Sequence, residues 1–403
     1  MKENILINGV KVIYEQRLGE ITSFCIGFKA GASEEKKQNE YGIAHAVEHC
    51  IFKGTKNRTE KEINNLCDEI FGFNNAMTNF PYVVYYGTSL SKDFEAGFEL
   101  YSDIIINPTF PEEGFEEEKN IICEELKEWK DDKEQFCEDE LFKNAFTGVR
   151  IKECIIGNYN NIKSFTLEDL KEFYNKYYIP SNCVISVVSS LSEETVMEII
   201  EKYMLAFRKS GKVNHEYEYE ENRSGIFYSK REIEGARIQY VFPIHNLSNK
   251  EIKALRIFNN VFGEGTSSFI YDEIRTKYGL AYEIYSKIKN EGGIKLYSIN
   301  MGTSKENIAK SIEIIDNTIN EVKQLKGYFT KLKIKSLEKN IKLKRALGLE
   351  RSIQLAMQLC VHYIMYGSLM DVYYDLDFDM DENFIIKTVN KVLKNPSIQV
   401  VEP

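Results

Sequence analysis

The sequence has no long apolar run, no closely paired cysteines and no excess of basic residues. None of its apolar segments approaches the length of a membrane-spanning helix, and residues 1–9 lack the apolar stretch of a signal peptide. Lys and Arg number 52 against 62 Asp and Glu, which gives a formal charge of −10. Nonspecific binding to nucleic acid needs clustered cations that displace counterions from phosphates. We therefore expect neither a nucleic acid nor a membrane partner.

The cysteine pattern is that of a protein in a reducing compartment. Eight cysteines are scattered along 403 residues without a CxxC pair, and a chain of this length does not need disulfide bonds to stabilise its core. The sequence thus predicts a cytoplasmic protein. Because the chain is too long for one ordinary hydrophobic core, two or more domains are expected. With 43% apolar and 28% charged residues, the composition is that of a globular protein.

Strand-like and helix-like segments alternate along the chain, which predicts an α+β fold. In residues 21–28, β-branched and aromatic residues alternate as in a strand. Four apolar residues at helical spacing predict a helix with one buried stripe: Phe94, Phe98, Tyr101 and Ile105. Gly72 is interpreted as the stop of a helix over 61–70. Further predicted strands are 10–14, 184–188 and 294–301, and more than one strand is predicted within 76–86. Further predicted helices are 43–52 and 115–130.

A repeated arrangement predicts two similar domains. Gly87-Thr88-Ser89 precedes the helix with the apolar stripe, and Gly302-Thr303-Ser304 precedes a second amphipathic helix after a strand-like stretch. Residues 209–224 are polar and charged, as in a linker. The predicted organisation is therefore an α+β domain over 1–208, a linker over 209–224 and a second α+β domain over 225–403.

The segment His45-Ala46-Val47-Glu48-His49 is the main candidate for chemistry. Only five histidines occur in the chain, yet two of them stand four residues apart. On a helix, the rings of His45 and His49 project from one face and can bind the same tetrahedral ion. Glu48 lies on the neighbouring flank, where it can reach a water without being a ligand. This order is the inverse of His-Glu-x-x-His and is a peptidase signature; the competing interpretation is a solvated helix face.

A catalytic zinc commonly takes three protein ligands, and helix 115–130 offers the third. At about 100° per residue, its carboxylates Glu118 and Glu125 share a face with Ile122 and Trp129. Carboxylates in an apolar stripe are costly unless a cation compensates them. We assign Glu125 as the third ligand and Glu118 as an acceptor that orients an imidazole. The alternative is an amphipathic helix with a solvated acidic flank.

Several segments together resemble the pitrilysin/insulinase family, in particular its bacterial branch related to mitochondrial processing peptidase. The resemblance extends over nearly the whole chain and includes a block in which Arg275 and Tyr282 stand seven residues apart. Its other motifs lie in residues 8–13, 42–55, 75–78 and 118–125. Ala46 departs from the pattern, since this position is often aromatic, and so do residues 147–152 and Ser189-Ser190. None of these departures removes a catalytic residue.

The resemblance implies a fold and a set of roles. Two α+β domains, each a sheet packed with helices, would close like a clamshell around a chamber, with one zinc per chain in the first half. Arg275 and Tyr282 would reach the zinc site from the second half. Asn75, Ala76 and Thr78 would belong to the edge to which a substrate adds as a strand.

The predicted function is that of a zinc-dependent endopeptidase acting on peptides or unfolded segments. Glu48 would take a proton from a water that zinc has acidified. The charge that develops on the scissile carbonyl would be met by zinc and by the hydroxyl of Tyr282, with Arg275 holding either Tyr282 or the substrate backbone. Besides the peptide substrate, a homodimer or a heterodimer with a related subunit is expected. Two alternatives stay open: a subunit of a heteromeric complex that removes leaders or propeptides, and a non-catalytic structural partner subunit.

Overall fold

The computed structural model describes residues 1–207, 211–369 and 380–403. Within these residues the chain forms eleven β-strands in two sheets. The strands are β1 (Lys2–Ile5), β2 (Lys11–Gln16), β3 (Ile21–Phe28), β4 (Phe71–Thr78), β5 (Val83–Leu90), β6 (Cys183–Ser189), β7 (Gly225–Lys230), β8 (Ala236–Pro243), β9 (Ala281–Glu291), β10 (Ile294–Thr303) and β11 (Ser397–Glu402).

Helices connect and cover these strands. In the described residues they are α1 (Ile43–Cys50), α2 (Glu60–Ile70), α3 (Phe94–Ile106), α4 (Phe115–Asp131), α5 (Lys133–Ala145), α6 (Tyr159–Ser164), α7 (Leu167–Tyr177), α8 (Glu193–Met204), α9 (Asn249–Phe262), α10 (Phe269–Tyr271), α11 (Ile308–Val322), α12 (Lys331–Gly348), α13 (Ser352–Tyr366) and α14 (Glu382–Val392). A π-helical segment, Asp272–Lys277, continues α10. No helix in the described part of the chain is long and apolar enough to span a bilayer. The eight cysteines all lie in the described residues, and none of them forms a disulfide bond.

The first sheet is built around a strand that is buried on both faces. For the residues described, its six strands follow the order β1-β2-β6-β3-β5-β4, and only the pairing of β2 with β6 is parallel. Every residue of β3 after Ile21 is buried. The ring of Phe24 contacts three aromatic residues of α3 and so anchors this helix on one face: Phe94, Phe98 and Tyr101. The apolar stripe predicted for α3 is confirmed, since all four of its residues are buried.

A helix from near the C-terminus covers the other face of the first sheet. The hydroxyls of Ser23 and Ser352 lie 2.7 Å apart, and Ser186 Oγ donates to the carbonyl oxygen of Ala356, so α13 is tied to β3 and β6. Gly27 lets α13 approach closely, because an added β-carbon would lie 2.6 Å from Cys360 Sγ. The contact of α13 with β3 joins residues more than 300 positions apart, and its contact with β6 joins residues 170 positions apart.

Gly27→Ala is expected to destabilise the protein by about 1–3 kcal/mol, the range for adding a methyl group to a packed core. The added methyl group would also meet Ile364 Cδ1 at 2.6 Å and Val84 Cγ1 at 3.1 Å. Chemical denaturation followed by circular dichroism measures the change. Gly348→Ala is the control, because nothing lies within 4 Å of a β-carbon added there. Equal unfolding midpoints for the two variants would contradict close packing of α13 on β3.

The second sheet is also a mixed sheet, but its strands follow a different order. In the described residues its five strands follow the order β7-β11-β8-β10-β9, and the last strand of the chain, β11, lies between β7 and β8. β11 pairs parallel with β7 and antiparallel with β8. Residues of β8, α9, α11 and α14 share one hydrophobic core, represented by Tyr240, Phe258, Ile315 and Val389. This half therefore has a core of its own.

The chain forms two compact units, and each has helices packed on a mixed sheet. This confirms the predicted class of two similar α+β domains. The first unit comprises Met1–Leu126, Cys154–Tyr217 and a part that begins at Ala346; the second contains Lys127–Glu153 and Glu218–Arg345 and continues into the C-terminal residues. The sequence division at residues 208 and 225 stays a prediction of domain boundaries. In the structure, α13 belongs to the first unit although it lies in the second half of the sequence. Helix α5 belongs to the second unit although it lies in the first half.

One prediction around Gly72 is wrong in detail. Helix α2 ends at Ile70 and β4 begins at Phe71, so Gly72 lies within a strand and does not stop a helix. The pairing with β5 shifts between Phe71 and Phe73, which makes Gly72 a bulge residue. The strands predicted within residues 76–86 correspond to the end of β4 and the start of β5, which residues 79–82 join. Composition alone does not reveal a helix that runs directly into a strand.

Candidate metal centre and catalytic site

Helix α1 carries His45, Glu48 and His49 and begins at a residue with left-handed backbone. Gly42 has a φ of +102°, and a β-carbon added to it would collide with the carbonyl oxygen of Ile156. The buried Glu35 carboxylate accepts hydrogen bonds from the backbone N–H groups of Gly42 (3.1 Å) and Ala44 (2.9 Å). A carboxylate in this place satisfies N–H groups that have no intrahelical partner and interacts favourably with the helix dipole. The preceding loop thus fixes the start of α1.

Two histidines of α1 meet a glutamate of α4 in one cluster. His45 Nε2 lies 3.5 Å from Glu125 Oε1, and His49 Nε2 lies 3.3 Å from Glu125 Oε2. The two imidazole centroids are 4.5 Å apart, and one possible ligand atom from each of the three residues lies within 4.8 Å of the others. His45 is buried, whereas the Glu125 side chain is 40% exposed. The cluster is therefore open to solvent on the side of the carboxylate.

The donor set and its spacing fit a zinc ion. Two imidazole nitrogens and one carboxylate oxygen form a common catalytic zinc set, which leaves a fourth position open. Two ligands of one tetrahedral ion with bonds near 2.0–2.1 Å lie about 3.4 Å apart. The distances from Glu125 to His49 and His45, 3.3 and 3.5 Å, match this separation. The residues present are thus compatible with the metal that the sequence pattern predicts.

Glu118 lies behind His49, on the side away from Glu125. Its Oε1 is 2.8 Å from His49 Nδ1, and its Oε2 is 2.7 Å from the Lys53 ammonium, which also bonds Glu60 at 2.9 Å. A carboxylate that accepts from Nδ1–H leaves Nε2 of the same ring available as a ligand. The arrangement matches the orienting role predicted for Glu118, which stays a prediction. Among the described residues, the corresponding Nδ1 of His45 has no hydrogen-bond partner.

The electrostatics of the cluster favour a positive charge. Burial alone would lower the pKa of His49, but its hydrogen bonds with Glu118 and Glu125 outweigh burial and raise the pKa to about 10. Burial alone would raise the pKa of Glu125, whereas its contacts with His45 and His49 hold it well below the ordinary value of a glutamate. The carboxylates therefore stay ionised and attract a cation to the imidazoles.

Glu48 is buried next to this cluster and is held by β4. Its Oε2 accepts a 2.7 Å hydrogen bond from Thr78 Oγ1. No other described residue forms a hydrogen bond with the Glu48 carboxylate, and its negative charge contributes to the raised pKa of His49. Glu48 thus has one oxygen fixed by the protein and one that can accept from another donor.

Strand β4 is an edge of the first sheet. In the described residues it pairs with β5 alone, with Asn75 opposite Tyr86 and Ala76 opposite Tyr85. Asn75 is exposed and Ala76 is half-buried. The structure thus brings Thr78 to Glu48 and places Asn75 and Ala76 on the same edge strand, while their substrate-binding role stays a prediction.

Arg275 and Tyr282 lie together in the second unit. Arg275 belongs to the π-helical segment after α10, and its Nη1 donates a 2.7 Å hydrogen bond to the backbone carbonyl oxygen of Tyr282 on β9. The Tyr282 side chain is 51% exposed. π-Helical turns occur often at functional sites. This hydrogen bond agrees with the prediction that Arg275 holds Tyr282. The part that the two residues play in the reaction stays a prediction.

Sequence reasoning did not identify Glu35 and Lys53 as parts of the site. Lys53 stands four residues after His49, so the helical spacing that gave the histidine pair could have indicated it. Glu35 lies in a loop region seven residues before Gly42, and no periodic pattern connects it with α1. Loop residues of this kind become apparent only from the folded backbone.

A chain of two similar α+β units with a His-His-Glu cluster on the first has the fold and the possible metal site of a metallopeptidase. Two family models match it: "Insulinase (Peptidase family M16)" over residues 11–158 and "Peptidase M16 inactive domain" over residues 164–336. Together they cover most of the sequence. The chain belongs to the insulinase family, the pitrilysin/insulinase group that its motifs resemble.

Individual relatives agree with this assignment. The chain is 28% identical over 318 residues to "Uncharacterized zinc protease YmxG" of Bacillus subtilis, which covers 79% of this chain and 77% of that protein. It is 32% identical over 202 residues to the mitochondrial-processing peptidase subunit beta of Dictyostelium discoideum, with coverage of 50% and 43%. The crystal structure of a protease from Helicobacter pylori has the same fold, with a TM-score of 0.88, 21% identity and coverage of 100% and 99%.

Proposed function

We propose that the protein is a zinc-dependent endopeptidase that hydrolyses peptides or unfolded segments. The observation that carries this proposal is the cluster of His45, His49 and Glu125 with Glu48 beside it, next to an edge strand. Relatives named zinc proteases support it. Each part of the cluster has a task in peptide hydrolysis.

His45, His49 and Glu125 would hold one zinc ion per chain. When bound, the ion supplies Lewis-acid chemistry that acidifies a water and polarises a carbonyl. Glu118 keeps the imidazole of His49 in the orientation in which Nε2 faces Glu125. Lys53 compensates the second oxygen of Glu118, so this carboxylate stays ionised next to the ring.

Glu48 is proposed as the general base and later the general acid. A carboxylate in this role accepts a proton from the attacking water and delivers it to the leaving amine. Thr78 holds one oxygen of Glu48 and so limits rotation of the carboxylate. The other oxygen is then the acceptor that faces the reacting water.

The substrate is proposed to add to β4 as a further strand. An exposed strand edge offers backbone N–H and C=O groups to an extended peptide in any sequence context. Asn75 and Ala76 lie on this strand, and Thr78 links the same strand to Glu48. A peptide on this edge would have its backbone beside the base, which suits cleavage within extended or unfolded segments.

Arg275 and Tyr282 are proposed to serve the same reaction. The hydroxyl of Tyr282 would donate to the oxygen on which negative charge develops, a contribution that is strongest in the transition state. Arg275 would hold the backbone at Tyr282, as its hydrogen bond to the carbonyl oxygen indicates.

A second candidate is a subunit role in a heteromeric peptide-processing complex. It is favoured by the similarity to proteins named mitochondrial-processing peptidase subunit beta. In that case a related chain would be the partner, whereas a protein that is active on its own would act as a homodimer. The cytoplasmic location predicted from the sequence is proposed for either function.

The purified protein is expected to cleave members of a mixed peptide pool, and a metal chelator is expected to abolish cleavage because the base alone cannot polarise the scissile bond. Mass spectrometry of the pool measures the products. Adding zinc back in stoichiometric amounts should restore cleavage. Cleavage that persists in the chelator would reject the metal mechanism; no cleavage with zinc present would favour the subunit role.

A further inference from the structure

The position of the Tyr282 ring depends on a neighbouring residue that has no side chain. A β-carbon added to Gly302 would lie 2.5 Å from Cε2, 2.6 Å from Cζ and 2.7 Å from the hydroxyl oxygen of Tyr282. Carbon atoms do not approach this closely without displacement. A β-carbon on Gly235 would likewise lie 3.3 Å from the Tyr282 hydroxyl. The phenol therefore lies directly on the backbone of β10.

The backbone of β9 is irregular at the same point. Glu283 pairs with Gly302 and Ala281 pairs with Thr303, so Tyr282 is an extra residue in β9 that has no partner in β10. A β-bulge of this kind redirects the side chain of the extra residue and is frequent beside active sites. The Arg275 hydrogen bond to the carbonyl of Tyr282 holds the bulge from the other side.

The first unit contains a similar close contact between a strand glycine and an aromatic ring. Gly87 opens the tripeptide that resembles Gly302-Thr303-Ser304, and a β-carbon on Gly87 would lie 2.8 Å from Cε1 of Phe71. The pairing of β4 with β5 is also irregular here, next to Phe71. Phe71 is buried, however, whereas Tyr282 is half exposed. The Phe71 ring is therefore enclosed, whereas part of the Tyr282 residue is accessible to a bound molecule.

The Tyr282 hydroxyl is also available for a new hydrogen bond. No described residue forms a hydrogen bond with it, whereas the nearby Tyr285 hydroxyl donates to Glu134. The ammonium of Lys133 lies 5.8 Å from the centroid of the Tyr282 ring, within the range of a cation–π contact. The ring thus lies between the backbone of β10 and Lys133, and its hydroxyl oxygen has no hydrogen-bond partner among the described residues.

We infer that Gly302 is a positioning residue that seats the phenol ring of Tyr282 and so aims its hydroxyl. This inference rests on the proposed function of Tyr282 and adds a residue to it. A side chain at position 302 displaces the ring into solvent, where it has room because it is half exposed. Gly302→Ala therefore disables Tyr282 without removing it.

Two readouts test the inference, and the first is independent of activity. With 3-fluorotyrosine incorporated at position 282, the fluorine resonance of Gly302→Ala is expected to move toward its position in the unfolded protein. Arg275→Gln, which adds no bulk, is expected to move it in the same direction. The melting temperature and zinc content of both variants should equal those of the control variant Gly348→Ala. An unchanged resonance in a folded Gly302→Ala variant would overturn the inference.

The second readout is peptide turnover. Gly302→Ala should lower kcat by about 10- to 100-fold with little change in KM, since loss of one donor to developing charge costs about 100- to 1000-fold. The double variant with Tyr282→Phe should equal Tyr282→Phe alone, because both changes remove the same contribution. Additive losses would overturn the inference. If the wild type is inactive but the fluorine resonance still moves in Gly302→Ala, the peptidase proposal is rejected. The inference that Gly302 positions the ring of Tyr282 is then supported.

Discussion

Glu48→Gln should reduce peptide turnover at least 100-fold while the protein keeps its zinc. The substitution preserves size and the ability to accept the Thr78 hydrogen bond, but an amide cannot take a proton from water. Loss of a general base typically costs about 100- to 10,000-fold. The measurements are kcat on a cleaved peptide and metal content by mass spectrometry on the same sample.

Glu117→Gln is the matched control, because Glu117 is an exposed glutamate of α4. It should retain wild-type turnover and zinc. If Glu48→Gln also retained turnover, another residue would have to be the base. If it lost zinc instead, Glu48 would act as a ligand and the assignment of Glu125 would need revision.

Removal of any one of His45, His49 and Glu125 should abolish both metal binding and activity. The wild-type protein is expected to carry about one zinc per chain, since three ligands of the right type converge. Each alanine variant leaves two ligands, too few for a stable site. Metal analysis after dialysis and peptide turnover are the two measurements. Glu118→Gln should weaken zinc affinity by about 10- to 100-fold, the usual effect of losing an orienting partner.

His245→Ala is the control for the loss of a histidine. His245 lies in the second unit, where it stacks on Tyr219 and has Glu221 at 3.5 Å. It should leave zinc content and turnover unchanged. Full zinc occupancy in all three ligand variants would reject the cluster as the metal site, whatever the activity of the wild type.

Residues that share one helix could be brought together from the sequence. His45, Glu48 and His49 stand within five residues, and the helical repeat determines how their side chains diverge. The same reasoning placed Glu118 and Glu125 on one face of α4, and both approach the histidines in the structure. Such predictions need only the 3.6-residue period and the chemistry of a metal site.

Contacts that depend on the path of the chain could not be predicted in this way. Glu35 reaches α1 from a loop, and Gly302 meets Tyr282 only because β9 contains a bulge. Neither strand register nor loop direction follows from composition. A register shift of one residue moves every side chain of a strand to the opposite face of the sheet, so contacts between strands cannot be assigned without the register. The position of α13 on the first sheet likewise depends on packing between distant residues.

The late position of α13 and β11 affects how the protein can fold during synthesis. The first sheet has one face uncovered until residues 352–366 have left the ribosome, and the second lacks an interior strand until residues 397–402 have done so. Domains usually fold as units in the order of their synthesis. Here the first unit cannot complete its core before residues 352–366 have been synthesised, and the second cannot do so before residues 397–402, so both keep apolar surface exposed until then.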